Sequence, residues 1–198
     1  MNSKFWDDRY RSDDYAYGRE PNEFVREQAA RIPPGRVLCL AEGEGRNAVF
    51  LAGLGHAVTA VDYSIEGVRK TERLARECGV EVEALCADLA EYEPAPATFS
   101  GIVSVFAHLP PLVRRRVHAW VPGALVDGGV FLLEAYRPAQ LAFDTGGPRD
   151  VNLLMTLDGL REELAPLSFA LGRELERQVH EGAFHGGLSA TVQVVAVR

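Results

Sequence analysis

The chain has 198 residues, of which 47% are hydrophobic and 25% are charged, and its formal net charge is −7. This length and composition are typical of one globular domain with a core of useful size. The acidic balance disfavours nucleic-acid binding, which usually needs a basic surface. There is no apolar run of the roughly 20 residues that a membrane-spanning helix requires, and no secretory signal pattern at the start. We therefore expect a cytoplasmic protein without nucleic-acid or membrane partners.

The N-terminal residues, 1–31, have the pattern of an extension that precedes the main fold. A helix is predicted near "NEFVREQAARI", and four aromatic residues lie before it, namely Trp6, Tyr10, Tyr15 and Tyr17. These side chains are expected either to cover a ligand site or to pack on the core.

Strand and helix patterns alternate from residue 37 to about residue 136. Nearly continuous apolar strands such as "RVLCLA" and "FSGIVSVFAHL" are separated by helical segments, which indicates a parallel sheet covered on both faces. One helix is predicted to begin at the N-cap Ser64 and to end at Gly79. After a turn-rich loop and a short helix, "SFALGRELERQVHEG" and "GGLSATVQVVAVR" indicate a terminal β-hairpin. The prediction is a single α/β domain over residues 1–198, with a doubly wound core over residues 32–198.

Cysteine and histidine spacings give no metal motif. Cys39, Cys78 and Cys86 lack CxxC spacing, and the apolar runs around Cys39 and Cys86 predict buried free thiols. His180, Glu181 and His185 have a spacing that matches no metal motif. No metal is expected.

The stretch "VLCLAEGEGRN" (37–47) joins the first strand to a helix that is predicted to begin near Asn47. Ligands of such sheets bind beyond the carboxyl ends of the strands, where this loop lies. Gly43 and Gly45 allow positive φ and a close backbone approach, and the helix start offers free N–H groups. "GEGRNA" also matches the pattern G-x-G-x-x-G/A, which indicates a nucleotide site only weakly by itself.

Two acids after later strands make the ligand more specific. Asp62 ends the second strand and can hold a ribose diol, a feature of dinucleotide enzymes and S-adenosylmethionine (SAM) enzymes alike; a plain helix cap is the alternative. Asp88 follows the third strand, where it and the N–H of Leu89 can meet an adenine. NAD would need a second ligand-binding unit, and the remaining chain forms a hairpin. SAM is therefore favoured, with an NAD-linked reductase as an alternative.

This order of features resembles the class I SAM-dependent methyltransferases. The segments "YAYGREPNEF", "VLCLAEGEGRNAVFLA", "VSVFAHLPP" and "DTGGP" look more specifically like the small bacterial tellurite-resistance and thiopurine-methyltransferase-like enzymes. The resemblance implies a Rossmann-like, seven-stranded, mostly parallel sheet with a C-terminal antiparallel hairpin. It also implies SAM as the cofactor, with its methionine part on the glycine loop, its ribose at Asp62 and its adenine at Asp88. The expected cofactor-binding residues are Ala41, Glu42, Gly43, Gly45, Asn47, Asp62, Tyr63, Ser64, Ala87, Asp88, Leu89 and Phe106.

The loop departs from that family at two positions. Cys39 stands where many members carry an acid, and Ala41 where they carry the first glycine. Glu42 is expected to supply the negative charge near the cofactor's methionine end; an exposed loop acid with no ligand role is the alternative. The departures also leave open a methyltransferase-like protein that binds without catalysis.

The methyl acceptor is expected beyond the fourth strand, near "FAHLPP". His108 is the candidate base near neutral pH, or else it caps the next helix. Tyr136 is expected to face the same crevice, and Thr145 to touch the acceptor from a lid, "DTGGPRD", or to lie in a plain surface loop. Glu134, inside a strand, needs either a partner or a place in the site. The expected function is methylation of a small molecule, such as a thiol or a chalcogen oxyanion.

Overall fold

The computed structural model describes residues 3–198. Seven strands form one sheet: β1 (Arg36–Leu40), β2 (Ala57–Asp62), β3 (Val82–Cys86), β4 (Phe99–Val105), β5 (Leu125–Tyr136), β6 (Ser168–Glu181) and β7 (His185–Val197). Their order is β3-β2-β1-β4-β5-β7-β6. The first five strands are parallel, and β7 pairs antiparallel with both β5 and β6. The predicted mostly parallel sheet with a terminal hairpin is therefore confirmed.

Within residues 3–198, six α-helices surround this sheet: α1 (Ser3–Tyr10), α2 (Glu23–Gln28), α3 (Arg46–Gly53), α4 (Ile65–Cys78), α5 (Pro111–Ala124) and α6 (Leu157–Glu163). The start of α4 is capped by Ser64, whose hydroxyl accepts the N–H of Gly67, and its end by Gly79 at φ 68°. Both caps confirm the sequence prediction, because a Ser N-cap and a left-handed glycine are the common ends of a helix. No helix within residues 3–198 has the length and apolarity needed to cross a membrane.

The core lies on both faces of the sheet because successive strand residues point to opposite sides. Val37 and Cys39 of β1 belong to an apolar cluster with α2 and α3, whereas Leu38 and Leu40 belong to a second cluster with α5 and α6. Cys39 is buried as expected, but the same expectation for Cys86 is wrong. Cys86 ends β3, the edge strand, and its thiol is exposed there.

A buried polar network fixes the N-terminal extension to the hairpin. Glu134 of β5 is fully buried, and its carboxylate accepts two hydrogen bonds from Arg177 at 2.7 Å each. Gln193 and Asn22 donate to the same carboxylate at 2.7 and 2.6 Å. Asn22 also donates to Glu181 at 2.7 Å. The buried acid noted in the sequence thus has partners, as a charge inside a core requires.

Candidate active site

A cavity of about 580 Å³ lies at the carboxyl ends of β1, β2 and β4. Among the residues singled out from the sequence, it is lined by Ala41, Glu42, Asn47, Asp62, Phe106 and His108. The rest of its wall comes mainly from α1, from Tyr17 and Gly18, from Glu44 and Arg46, from the loop at residues 146–150 and from the β6–β7 turn. The other sequence-predicted residues lie outside this lining: Gly43, Gly45, Tyr63, Ser64, Ala87, Asp88, Leu89, Tyr136 and Thr145.

The glycine loop, residues 41–47, has a left-handed backbone at three positions. Gly43 and Gly45 have φ of 69° and 93°, and Ala41 has φ of 47°. A Cβ at Gly45 would lie 2.7 Å from the backbone of Thr71, so only glycine lets α4 pack this closely. Ala41 takes the same left-handed backbone with a Cβ, which is uncommon for a residue other than glycine, asparagine or aspartate. Ala41 thus has a left-handed backbone at the position where the class I methyltransferases that the sequence resembles carry a glycine.

Glu42 caps the start of α3 from within the loop. Its Oε1 accepts the backbone N–H groups of Asn47 and Ala48, each at 2.8 Å. Burial raises the pKa of Glu42 to about 7, although these hydrogen bonds oppose the shift. Burial and the neighbouring Glu42 carboxylate also hold the pKa of Cys39 well above its usual range. Glu42 thus places a carboxyl group beside Cys39, the position at which many class I methyltransferases that the sequence resembles carry an acid.

Asp62 connects the end of β2 to the glycine loop. Its Oδ2 accepts the N–H of Gly43 at 2.7 Å, and its Oδ1 accepts the N–H of Ser64 at 2.8 Å. Burial raises the pKa of Asp62 to about 6. A carboxylate has about four lone pairs, so each oxygen can still accept a further hydrogen bond from a ligand.

The region around Asp88 is more open than the cavity. Asp88 is exposed, and its Oδ1 accepts the N–H of Ala90 at 2.8 Å. Tyr63 is also exposed, whereas Leu89 is buried in the core. The N–H of Ala87 donates to the backbone carbonyl of Asp62 at 2.9 Å. This hydrogen bond holds the ends of β2 and β3 side by side, next to Asp62.

Four rings lie together at the other end of the cavity, namely Phe106, His108, Tyr136 and His185, here called the ring cluster. Phe106 stacks on Tyr136 with centroids 4.5 Å apart, and His108 is nearly parallel to Tyr136 at 5.5 Å. The rings of His185 and Phe106 pack edge to face, with their centroids 4.8 Å apart. Phe106 has a left-handed φ of 50°, which turns the chain sharply at the end of β4. The ring cluster gives this end of the cavity an aromatic wall.

His108 differs from the sequence expectation in its acidity. Its Nδ1 lies 2.9 Å from the carbonyl oxygen of Leu153, which can only accept, so Nδ1 carries the proton. Its Nε2 is shielded from solvent and has no hydrogen-bond partner within residues 3–198. Burial lowers the pKa of His108 to about 4. The ring is therefore neutral near pH 7 in this environment, and a role of His108 as the catalytic base stays a prediction.

The predicted lid approaches the ring cluster. A Cβ at Gly147, which has φ of 84°, would lie 2.6 Å from the ring of Tyr136. The Thr145 hydroxyl is engaged with the chain itself: it donates to the carbonyl of Leu188 at 2.8 Å and lies 3.0 Å from the hydroxyl of Ser189. Thr145 thus ties the loop to β7.

Sequence reasoning missed several residues of this site. Glu44 is buried, pairs with Lys70 at 2.6 Å, and accepts the backbone N–H groups of Ala16 and Tyr17. Arg46 pairs with Glu181 at 2.6 Å. The charges of Glu44 and Arg46 next to the loop glycines were a signal that they belong to the site. Their ion-pair partners could not be identified from the sequence, because they lie 26 and 135 residues away.

Residues 37–129 match the model of a family described as a methyltransferase domain. No curated protein matches the chain.

Solved structures share the fold over most of the chain. One comes from a study of the conversion of a disulfide bond into a thioacetal group during echinomycin biosynthesis, with 20% identity, a TM-score of 0.76, and coverage of 99% of this chain and 91% of that one. TehB from Haemophilus influenzae has 18% identity and a TM-score of 0.69, and the match covers 99% of this chain and 66% of that one. The N-methyltransferase NodS from Bradyrhizobium japonicum WM9, in complex with S-adenosylhomocysteine (SAH), has 14% identity and a TM-score of 0.71, and the match covers 99% of this chain and 97% of that one. The chain therefore has the Rossmann-like methyltransferase fold.

Proposed function

Because its matched domain and its fold together support a SAM-dependent methyltransferase with SAM as cofactor, we propose that the protein methylates a small molecule at the ring cluster. The cavity carries this proposal. It runs without a break from the carboxylates of the glycine loop to the aromatic wall, and can hold a cofactor and a small acceptor side by side.

The residues along the cavity fit SAM. Asp62 has free lone pairs for a ribose diol, and Asp88, which is exposed just after β3 and outside the cavity lining, is proposed to meet the adenine. Glu42 offers a carboxyl group to the cationic methionine end. When bound, SAM would supply an electrophilic methyl group on its sulfonium.

The ring cluster is proposed to position the acceptor. Phe106 and His108 line the cavity and are the groups that would touch it. The neutral Nε2 of His108 is shielded by its neighbours, so it can accept a hydrogen bond from the acceptor if the surrounding rings shift on binding, and with a pKa of about 4 it is a weak base. We assign positioning roles to Tyr136, which supports the Phe106 ring, and to Thr145, which anchors the lid.

A thiol is the acceptor class that these surroundings favour. The sequence resemblance to the tellurite-resistance and thiopurine-methyltransferase-like enzymes suggests a thiol or a chalcogen oxyanion. An oxyanion would meet the lone pair of His108 and share the cavity with the carboxylates Glu42 and Asp62. An uncharged thiol can donate to Nε2 and pack against aromatic rings.

A turnover assay with labelled SAM tests the proposed function. Thiophenol and aliphatic thiols are expected to accept the labelled methyl group, and selenite and tellurite to accept less of it. Small amines complete the panel. Absence of transfer to every compound, with SAH still bound, would indicate a binding protein and contradict the proposal.

Glu42 should make SAM binding depend on pH. A cationic ligand favours the ionised carboxylate, so binding releases a proton and affinity rises as pH passes about 7. If only the ionised forms bind, affinity should increase about 20-fold from pH 6 to pH 8, because the ionised fraction changes about tenfold for Glu42, whose pKa is about 7, and about twofold for Asp62, whose pKa is about 6.

Calorimetry at both pH values, in two buffers of different ionisation enthalpy, measures the affinity and the proton release. Glu42→Gln keeps an oxygen for the N–H groups of Asn47 and Ala48 but loses the charge. Its affinity at pH 8 should fall about tenfold, leaving about a twofold pH dependence from Asp62, whose pKa is about 6. A dependence of about 20-fold that persists in Glu42→Gln would contradict this role.

A further inference from the structure

We infer that Arg9 of α1 binds the α-carboxylate at the methionine end of the cofactor, so that the N-terminal helix closes over bound SAM. This inference rests on the proposed function, because it assigns a new residue to the same site. Three observations support it: the ion pairs of the other cavity arginines, the aromatic packing that holds the Arg9 guanidinium, and the position of Arg9 beside the glycine loop.

Arg9 is the cavity arginine that has no carboxylate partner in the described part of the chain. Arg46 is paired with Glu181 at 2.6 Å, and Arg149 is paired with Asp144. Within residues 3–198, no carboxylate oxygen lies within ion-pair distance of Arg9, although its side chain lines the cavity. An anionic group of a ligand can therefore pair with Arg9 without displacing an existing ion pair.

The guanidinium of Arg9 is held in place by aromatic side chains. Its Cζ lies 3.8 Å from the ring centroid of Phe184 and 5.3 Å from that of Phe5. Its Nη1 donates to the hydroxyl of Tyr17 at 3.2 Å. A guanidinium has five N–H donors, so several are left for a carboxylate, and a planar group held by stacking loses little freedom when it binds one.

Arg9 lies on the side of the cavity that the glycine loop forms. The hydroxyl of the next residue, Tyr10, would be 2.8 Å from a Cβ at Gly43. Tyr17, which contacts Arg9, donates its N–H to Glu44 and accepts a hydrogen bond from Arg46 through its carbonyl. In the proposed function this loop supports the methionine end, whose ammonium suits Glu42 and whose carboxylate needs a cation.

Binding of the carboxylate would add a second attachment between α1 and the cofactor site. The first already exists, since the Ser64 hydroxyl donates to Asp7 at 2.6 Å. SAM would then bridge the sheet and α1 beside the glycine loop.

The experiment compares SAH with 5′-methylthioadenosine, which has the adenosine and sulfur but lacks the amino acid. Arg9→Met should lower SAH affinity by about 10- to 100-fold, the usual effect of losing hydrogen bonds to a charged group. It should change methylthioadenosine affinity less than twofold, and Arg9→Lys should lose less SAH affinity than Arg9→Met. Arg11→Met is the matched control, because Arg11 is on an exposed surface beside α1 and pairs with Asp8 at 2.5 Å; both affinities should stay as in the wild type.

The two ligands separate the outcomes. Unchanged SAH affinity in Arg9→Met would overturn the inference, and so would equal losses for both ligands, which would indicate a displaced helix. Loss of turnover with normal SAH affinity would assign Arg9 to the acceptor and also overturn it. A wild-type protein that binds neither ligand would overturn the proposed function itself.

Discussion

Replacing Asp62 by asparagine is expected to lower the affinity for SAH by a factor of about 100 or more. The carboxylate accepts the N–H of Gly43 through one oxygen and the N–H of Ser64 through the other. Asparagine can keep only one of these acceptors, because its amide nitrogen is a donor. The variant therefore loses the charged acceptor for the ribose and also opposes an N–H group of the glycine loop with another donor. Each charge-assisted hydrogen bond contributes about 1.5–3 kcal/mol, and two such losses give the expected factor.

Asp88→Asn is the matched control for this substitution. Asp88 is exposed, and its oxygen accepts one local N–H group, from Ala90. Its replacement should lower SAH affinity by about tenfold at most, as expected for one partly solvated hydrogen bond. Titration calorimetry measures both variants, and circular dichroism checks that they are folded. Equal effects of the two substitutions would contradict the central role given to Asp62.

Replacing Glu134 by alanine is expected to destabilise the folded protein by about 3–5 kcal/mol. The substitution leaves Arg177 without its main partner while the guanidinium remains largely buried, at 13% exposure. Removing one member of a buried ion pair has this order of cost, because the remaining charge stays out of water. Gln193 and Asn22 lose an acceptor at the same time.

Glu176→Ala controls for the loss of a glutamate near the same network. Glu176 is half exposed on β6 and lies 3.9 Å from Arg137, so its removal should cost less than about 1 kcal/mol. Urea denaturation measures the free energy of unfolding of each variant. A cost below 1 kcal/mol for Glu134→Ala would show that the network does not fix the extension to the hairpin.

The fold was predictable because its determinants are local. Apolar strands, the Ser64 and Gly79 caps and the terminal hairpin each depend on short stretches of sequence. The position of Asp62 at the end of β2 was predictable for the same reason. The prediction that Cys86 is buried was wrong because an apolar run does not show that its strand lies at the sheet edge.

The chemistry of the site was less predictable because it depends on distant partners. Burial lowers the pKa of His108, although the hydrogen bond to the carbonyl of Leu153, 45 residues away, opposes the shift. Arg9 gave no sequence signal, since its importance arises from the ion pairs that Arg46 and Arg149 already make elsewhere. Ala41 was recognised as unusual, but its left-handed backbone became clear only in the structure.

The most direct test of the account is a pair of calorimetric titrations of the wild-type protein, one with SAH and one with NADH. We expect that one SAH binds per chain and that NADH gives no binding, because the proposed site fits an adenosine with a methionine end. Binding of NADH without binding of SAH would contradict it.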